Sequence, residues 1–314
     1  MKILSILKKI KKLLIFKTIS GDWKYDNVFL HSVDSNPVRK IILYFDDPEF
    51  MHLGDHLFFE PLANELTVQG YEVLVLATKQ MKPYFLSLGY RTEFQSDENL
   101  TSFDLIITKF EFSDILKNVN SNCLYISTSY TKSCNYLCLD IVKKTSHVLG
   151  YISSTQLSIP SKPLVKLNNL KLPKHHKYVL FNNYVDSASY RLTSSDYKYL
   201  EEFVINLAQR EGLKIIHVGT RAEKQSDKKT YGFVYADIRG KTEMLDIFSL
   251  AEQSNVKCCV SFDVFIAHVF FINNKKSFVK FRGRFSNKRY NYITNYVLPP
   301  FRVIGEKKDL VELI

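Results

Sequence analysis

Along most of this 314-residue chain, apolar runs of five to seven residues alternate with stretches of helical period, and that alternation restricts the folds open to it. Runs at 39–45, 72–77, 103–108 and 123–128 read as strands, with helices expected at 57–69 and 83–88 between them. Strands that are apolar almost throughout are buried on both faces, the condition of a parallel sheet wrapped by helices. The pattern stops at 159–173, where Pro160, Pro163 and Pro173 interrupt any helical period and mark a linker. It then restarts, with strands expected at 177–182, 213–218, 256–261 and 277–281 and helices at 194–211 and 244–252. The expectation is an α/β protein of two doubly wound Rossmann-like domains. Their bounds are 39–158 and 177–314, with a basic extension at 1–38 and a linker at 159–176.

An apolar fraction of 46% excludes disorder and supplies two cores. The five cysteines (Cys123, Cys134, Cys138, Cys258 and Cys259) are odd in number and contain no C-x-x-C pair, which fits a reducing compartment. No apolar run reaches the roughly 18–20 residues that cross a bilayer. A cytoplasmic location is expected.

The net charge of +11 has two concentrations. In the first, Lys2, Lys8, Lys9, Lys11, Lys12 and Lys17 interleave with Ile3, Ile6, Leu7, Ile10, Leu13 and Leu14, which form one stripe on a helix. Residues 1–18 thus suit an anionic membrane surface, which would put the protein peripherally on the inner face of the cytoplasmic membrane. The alternative is a terminal helix docked on its own protein with its lysines solvated. The second concentration holds Lys275, Lys276, Lys280, Arg282, Arg284, Lys288 and Arg289, with Phe281, Phe285 and Tyr290 among them. Basic residues with aromatics can bind single-stranded nucleic acid, but no nucleic-acid motif is present, and the phosphates of a small ligand serve equally. Nucleic acid is not expected as a partner.

Polar groups inside so apolar a pattern need a reason. Asp263 and His268 follow the strand at 256–261, on the edge where open α/β sheets bind ligands. Gly240-Lys241-Thr242 opens the helix that continues through 244–252, whose N-terminus either receives a diphosphate or is an ordinary cap. It is no P-loop, because Tyr235 occupies the place of the upstream glycine. Gly219 and Glu223 follow the strand at 213–218 in a turn that needs backbone freedom. Gly54-Asp55 opens the first helix, and Asp55 is either a helix cap or a base in a partly dry cleft. His52 and His56 are spaced i, i+4, but Gly54 between them and the lack of a third ligand argue against a metal. Asp46-Asp47 precedes Pro48 and reads as a turn.

Two of these blocks carry a resemblance. Gly54-Asp55, with Pro61 six residues after the aspartate and a leucine-rich helix, stands in the first half; Gly240-Lys241-Thr242, Asp263 and His268 stand in the second. In this order and separation they resemble the heptosyltransferase-like glycosyltransferases of family 9. The resemblance implies the GT-B arrangement, two Rossmann-like domains facing across a cleft, with the acceptor on the first and the nucleotide sugar on the second. It implies Asp55 as the base that deprotonates an acceptor hydroxyl, with Gly54 letting the backbone approach the substrates. Donor contacts are implied for Gly219, Glu223, Gly240, Lys241, Thr242, Asp263, His268 and Arg282, and a phosphate or acceptor contact for Arg191. It further implies inverting transfer from a nucleotide-diphosphate sugar to a lipopolysaccharide or other surface-glycan acceptor, with neither metal nor cofactor. The chain departs from the family at Val264 and Phe265, where members carry a small or hydroxylated residue and then glycine. Bulk there either reshapes the donor site or leaves a catalytically degenerate GT-B scaffold in the same pathway.

Overall fold

The structure is a computed structural model that describes residues 22–25, 28–31, 38–46, 52–108, 122–126, 141–142, 145–146, 149–151, 159–164, 170–185, 192–226, 229–280, 301–304 and 310–313. The chain divides into two compact units, Met1–Pro160 and Ser161–Ile314.

The first unit holds strands β1 (Asp22–Tyr25), β2 (Val28–His31), β3 (Lys40–Phe45), β4 (Glu72–Ala77), β5 (Leu105–Thr108) and β6 (Asn122–Ile126). Helix α1 (Leu53–Val68) links β3 to β4, and α2 (Lys82–Ser87) follows β4. The sheet order is β1-β2-β6-β5-β3-β4, with β6, β5, β3 and β4 parallel and the β1–β2 hairpin antiparallel on one edge. Ile41, Ile42, Leu43, Leu74, Val75, Ile106 and Ile107 are fully buried, as strands covered on both faces require. From β3 the chain steps to β4 on one side and then to β5 on the other, so the order reverses between β3 and β5. In open α/β sheets such a reversal is where ligands bind.

Two expectations change here. Part of the extension expected at 1–38 belongs to the sheet, because β2 pairs with β6 and β1 with β2, covering an edge that would otherwise expose unpaired backbone groups. Residues 1–21, with the basic amphipathic pattern, lie outside the described residues. Helix α1 begins at Leu53 rather than 57, which carries Gly54, Asp55 and His56 into its first turns.

The second unit holds β7 (Lys177–Asn182), α3 (Ser194–Glu211), β8 (Leu213–His217), α4 (Arg221–Ser226), β9 (Ala236–Asp237) and α5 (Met244–Glu252). It continues with β10 (Val256–Phe262), α6 (Phe265–Ile272), β11 (Lys276–Lys280), β12 (Phe301–Val303) and β13 (Leu310–Leu313). The order β12-β13-β11-β10-β7-β8-β9 contains a parallel run from β11 to β9, with β13 and β12 antiparallel beyond it. Here the reversal falls between β7 and β10.

Helix α3 shows how the core forms. Leu200, Val204, Leu207 and Ala208 recur at helical spacing and pack on Val179, Phe181, Val260 and Phe262. Each large side chain so buried contributes roughly 1.5–3 kcal/mol. Thr193 and Asp196 close the helix N-terminus, and Gly212 leaves its C-terminus at φ 63°, a left-handed conformation that favours glycine. Cys258 and Cys259 on β10 are free and buried, and burial pushes the Cys258 thiol up to about 12. Neither is a thiolate at neutral pH. Among the described residues, no helix is long and apolar enough to cross a membrane.

Candidate active site

In the second unit a cavity of about 670 Å³ opens at the carboxyl ends of β7 and β8, bounded by α3. Glu223 lines it and stands in a turn with two more of the expected residues, Gly219 and Gly240. Gly219 follows β8, and its carbonyl accepts the Gly240 N–H at 2.8 Å. A side chain at Gly219 would meet Glu223 Oε2 at 1.9 Å, so only glycine lets the Glu223 carboxylate lie over this backbone. Thr220 N donates to that oxygen at 2.7 Å and Asn182 Nδ2 at 3.2 Å, which fixes the carboxylate at the cavity wall. Gly240 has φ 71°, and a Cβ there would come within 3.1 Å of Arg221 Cα.

The rest of the wall was not foreseen from sequence. Asn183, just past β7, donates from Nδ2 to the Tyr231 hydroxyl at 2.6 Å, and its Oδ1 accepts from His217 Nε2 at 3.0 Å. Arg239 is buried and grips Asp237 through two nitrogens at 2.9 and 3.1 Å. The hydrogen bonds from Arg239 hold the Asp237 carboxyl well below the usual range, at about 2. Lys229 places its ammonium 4.5 Å over the Tyr231 ring. The cavity thus offers cations (Lys198, Lys229 and Arg239), two carboxylates (Glu201 and Glu223) and aromatic walls (Tyr184, Tyr197 and Tyr231). The one signal available was the amide pair Asn182-Asn183, which closes an otherwise apolar strand.

Asp263 lies just past β10, on the neighbouring side of the reversal point. His268 stands on α6, and its Nε2 lies 3.5 Å from Asp263 Oδ1, with both side chains largely buried. The bulky departures find places of their own: Val264 packs on the core cluster, and Phe265 meets Phe248 edge to face at 5.9 Å.

Gly240-Lys241-Thr242 lies in front of α5 rather than in its first turn, because the helix begins at Met244. Its N-cap, Glu243, gives its N–H to Asp246 Oδ2 at 2.7 Å. The two acidic side chains there oppose a diphosphate at this helix end. The second basic concentration also changes meaning. Lys275 donates to the carbonyls of Gln253 and Val256. Lys276 pairs with Glu312, and Lys280 forms a buried pair with Asp196 at 3.2 Å. Burial brings the Lys275 amine down to about 8. Lys275 and Lys280 tie parts of the fold together, while Lys276 makes an exposed pair. Arg191, Arg282, Arg284, Lys288 and Arg289 lie outside the described residues.

In the first unit, Asp55 occupies the third position of α1, beside the β3–β5 reversal. Its Oδ2 accepts the N–H of the N-cap residue His52 at 3.3 Å, so its capping role is real. Capping and base catalysis are compatible, since a carboxylate has two oxygens and a cap uses one lone pair. His52 is exposed and His56 fully buried, so the two rings do not share a site. Asp46 is exposed, and Asp47 lies outside the described residues. Among the described residues no group of three or more His, Cys, Asp or Glu could hold a metal.

The described fold is two doubly wound units, the second with a ligand-sized cavity at its strand ends. A family 9 glycosyltransferase from Veillonella parvula aligns at TM-score 0.53 and 10% identity, over 78% of this chain and 82% of that one. The ADP-heptose lipopolysaccharide heptosyltransferase II of E. coli aligns at TM-score 0.51 and 11% identity, over 85% and 92%. The E. coli heptosyltransferase WaaC, solved with ADP-2-deoxy-2-fluoro heptose, aligns at TM-score 0.50 and 13% identity, over 83% and 93%. No protein-family model and no curated protein sequence matches the chain. The chain therefore has the heptosyltransferase-like fold of glycosyltransferase family 9.

Proposed function

We propose that the protein is a glycosyltransferase that moves a sugar from a nucleotide-diphosphate donor to a lipopolysaccharide or other surface-glycan acceptor. The observation that carries this reading is the Gly219–Glu223–Gly240 turn, which aims a fixed carboxylate into the cavity of the second unit. The donor's hydroxyls have an acceptor in Glu223, and its phosphates have cations in Lys198, Lys229 and Arg239. Asp263, past the end of β10, and His268, on α6, pair with each other outside the residues that line the cavity.

In the reaction, Asp55 takes the proton of the acceptor hydroxyl as its oxygen bonds to the anomeric carbon. The bond from that carbon to the phosphate oxygen breaks, and its electron pair leaves with the nucleoside diphosphate. One direct displacement inverts the anomeric centre and leaves no covalent intermediate on the enzyme. The cations of the cavity offset the charge on the leaving diphosphate in place of a metal.

The test is thermal. UDP, GDP, ADP and CMP are added separately at millimolar concentration, with EDTA present. A nucleotide at 100 times its Kd stabilises by about 2.7 kcal/mol, an unmistakable rise in Tm. If none raises the Tm, the donor-site reading fails.

A further inference from the structure

His56 follows the proposed base directly in sequence, yet nothing assigned so far uses it. Its ring is fully buried on α1. Nδ1 donates to the carbonyl of His52, one turn back, at 2.9 Å. On the other side of the ring, Nε2 accepts from the N–H and hydroxyl of Thr78, each at 3.4 Å. Because the partner of Nδ1 is a carbonyl, the ring is held as the neutral tautomer with its proton on Nδ1. Thr78 immediately follows β4, and its carbonyl accepts the N–H groups of Met81 and Lys82 where α2 begins. Phe45, at the end of β3, meets the ring edge-on with centroids 6.4 Å apart. One imidazole thus touches the ends of β3 and β4 and the start of α1.

The route from this ring to Asp55 is short. His52, whose carbonyl the ring holds, gives its own N–H to Asp55 Oδ2. Burial alone does not call for an imidazole here, since leucine would fill the space beside Phe45 without bringing polar groups that need partners. A ring with nitrogens on opposite sides is what a bridge between a helix cap and a strand end requires. We propose that His56 is a positioning residue, which fixes the Asp55 carboxylate by tying the N-cap of α1 to the end of β4. This rests on the reading of Asp55 as the base.

Three variants of the full chain separate the two arms of the bridge. His56→Asn keeps a donor for the His52 carbonyl and loses Thr78. His56→Gln keeps an acceptor for Thr78 and loses His52, and His56→Leu keeps volume and loses both. The ¹⁵N spectrum of histidine-labelled protein is expected to show His56 neutral with its proton on Nδ1. The Asp55 ¹³Cγ resonance is expected to move in His56→Leu and His56→Gln, less in His56→Asn, while that of Asp263 stays in place. Turnover should follow the same order, with kcat down by as much as about 100-fold in His56→Leu and KM for the donor unchanged, because reacting groups misplaced by about 1 Å cost that much. In an Asp55→Asn background, His56→Leu should cost nothing further. A folded His56→Leu protein with the wild-type Asp55 resonance overturns the proposal, as does a proton found on Nε2. A moved Asp55 resonance combined with full turnover in Asp55→Asn would instead keep the bridge and remove the base.

Discussion

A methyl group added at Gly219 should damage the cavity of the second unit more than its size suggests. In Gly219→Ala the new Cβ would stand 1.9 Å from Glu223 Oε2, 3.1 Å from Glu223 Cδ and 3.3 Å from Arg239 Cγ. The carboxylate must move, because no rearrangement of the methyl itself is possible. Moving it breaks the hydrogen bonds from Thr220 N and Asn182 Nδ2. Two such bonds at a half-exposed carboxylate are worth about 1–3 kcal/mol together, taking the ordinary net range for each. For a unit of this size the loss lowers Tm by roughly 2–12 °C. If the displaced carboxylate also leaves the donor's hydroxyls, nucleotide-sugar affinity falls by about 10–100-fold, at 1.4 kcal/mol per tenfold. Calorimetric titration beside a melting curve measures both. Gly232→Ala is the control, since a Cβ there meets nothing within 4 Å and the backbone φ is ordinary. A Gly219→Ala protein that melts and binds as the wild type would refute the reasoning.

Other outcomes follow from the same geometry. His268→Ala and Asp263→Ala should weaken nucleotide-sugar binding more than acceptor binding in paired titrations, since the pair stands at the ligand edge; a lowered Tm with unchanged donor affinity would mark it as structural. Arg239 depresses the Asp237 carboxyl to about 2, so the stability this contributes is full above the ordinary carboxylate pKa of about 3.9 and fades as pH falls toward 2. Acid melting of Asp237→Asn should lack that part of the pH dependence, and identical acid profiles would count against the Arg239–Asp237 pair. Intact protein should bind vesicles of anionic lipid and release as salt rises, at roughly 1 kcal/mol of attraction per lysine near the surface. Removing residues 1–18 stops short of β1 and should abolish that binding with the fold intact; equal partitioning of both proteins would dismiss the membrane reading.

The parallel strands were legible because burial on both faces forces near-continuous apolar runs, as at Ile41–Leu43 and Leu105–Thr108. Helix α6 was not. Phe265-Ile-Ala-His-Val-Phe-Phe-Ile272 is apolar on every side, so its period carries no sign of which structure it adopts. The β1–β2 hairpin escaped because its value lies in covering the edge of β6, a long-range need that local sequence does not display. Gly219 and Glu223 were legible as turn residues and Asp263 as a strand-end residue, whereas His268 stands inside α6 and Gly240 ahead of α5. The Asn183–His217–Tyr231 chain was not, since its members stand 34 and 48 residues from Asn183 and meet only through the sheet. Charge was the least faithful guide: Lys275 and Lys280 look like part of a phosphate cluster in sequence and serve as struts in the fold.

The central claim is transfer of a sugar from a nucleotide donor. Its most direct measurement incubates the full chain in EDTA with a panel of nucleotide sugars and surface-glycan acceptors, and weighs the products by mass spectrometry. The account predicts one acceptor whose mass rises by a single sugar, inverted at the anomeric carbon, with nucleoside diphosphate released in equal amount. Asp55→Asn should slow that product by at least about 100-fold while remaining folded. Transfer that requires a divalent ion, transfer undiminished in Asp55→Asn, or no transfer from any donor that raises the Tm would contradict it.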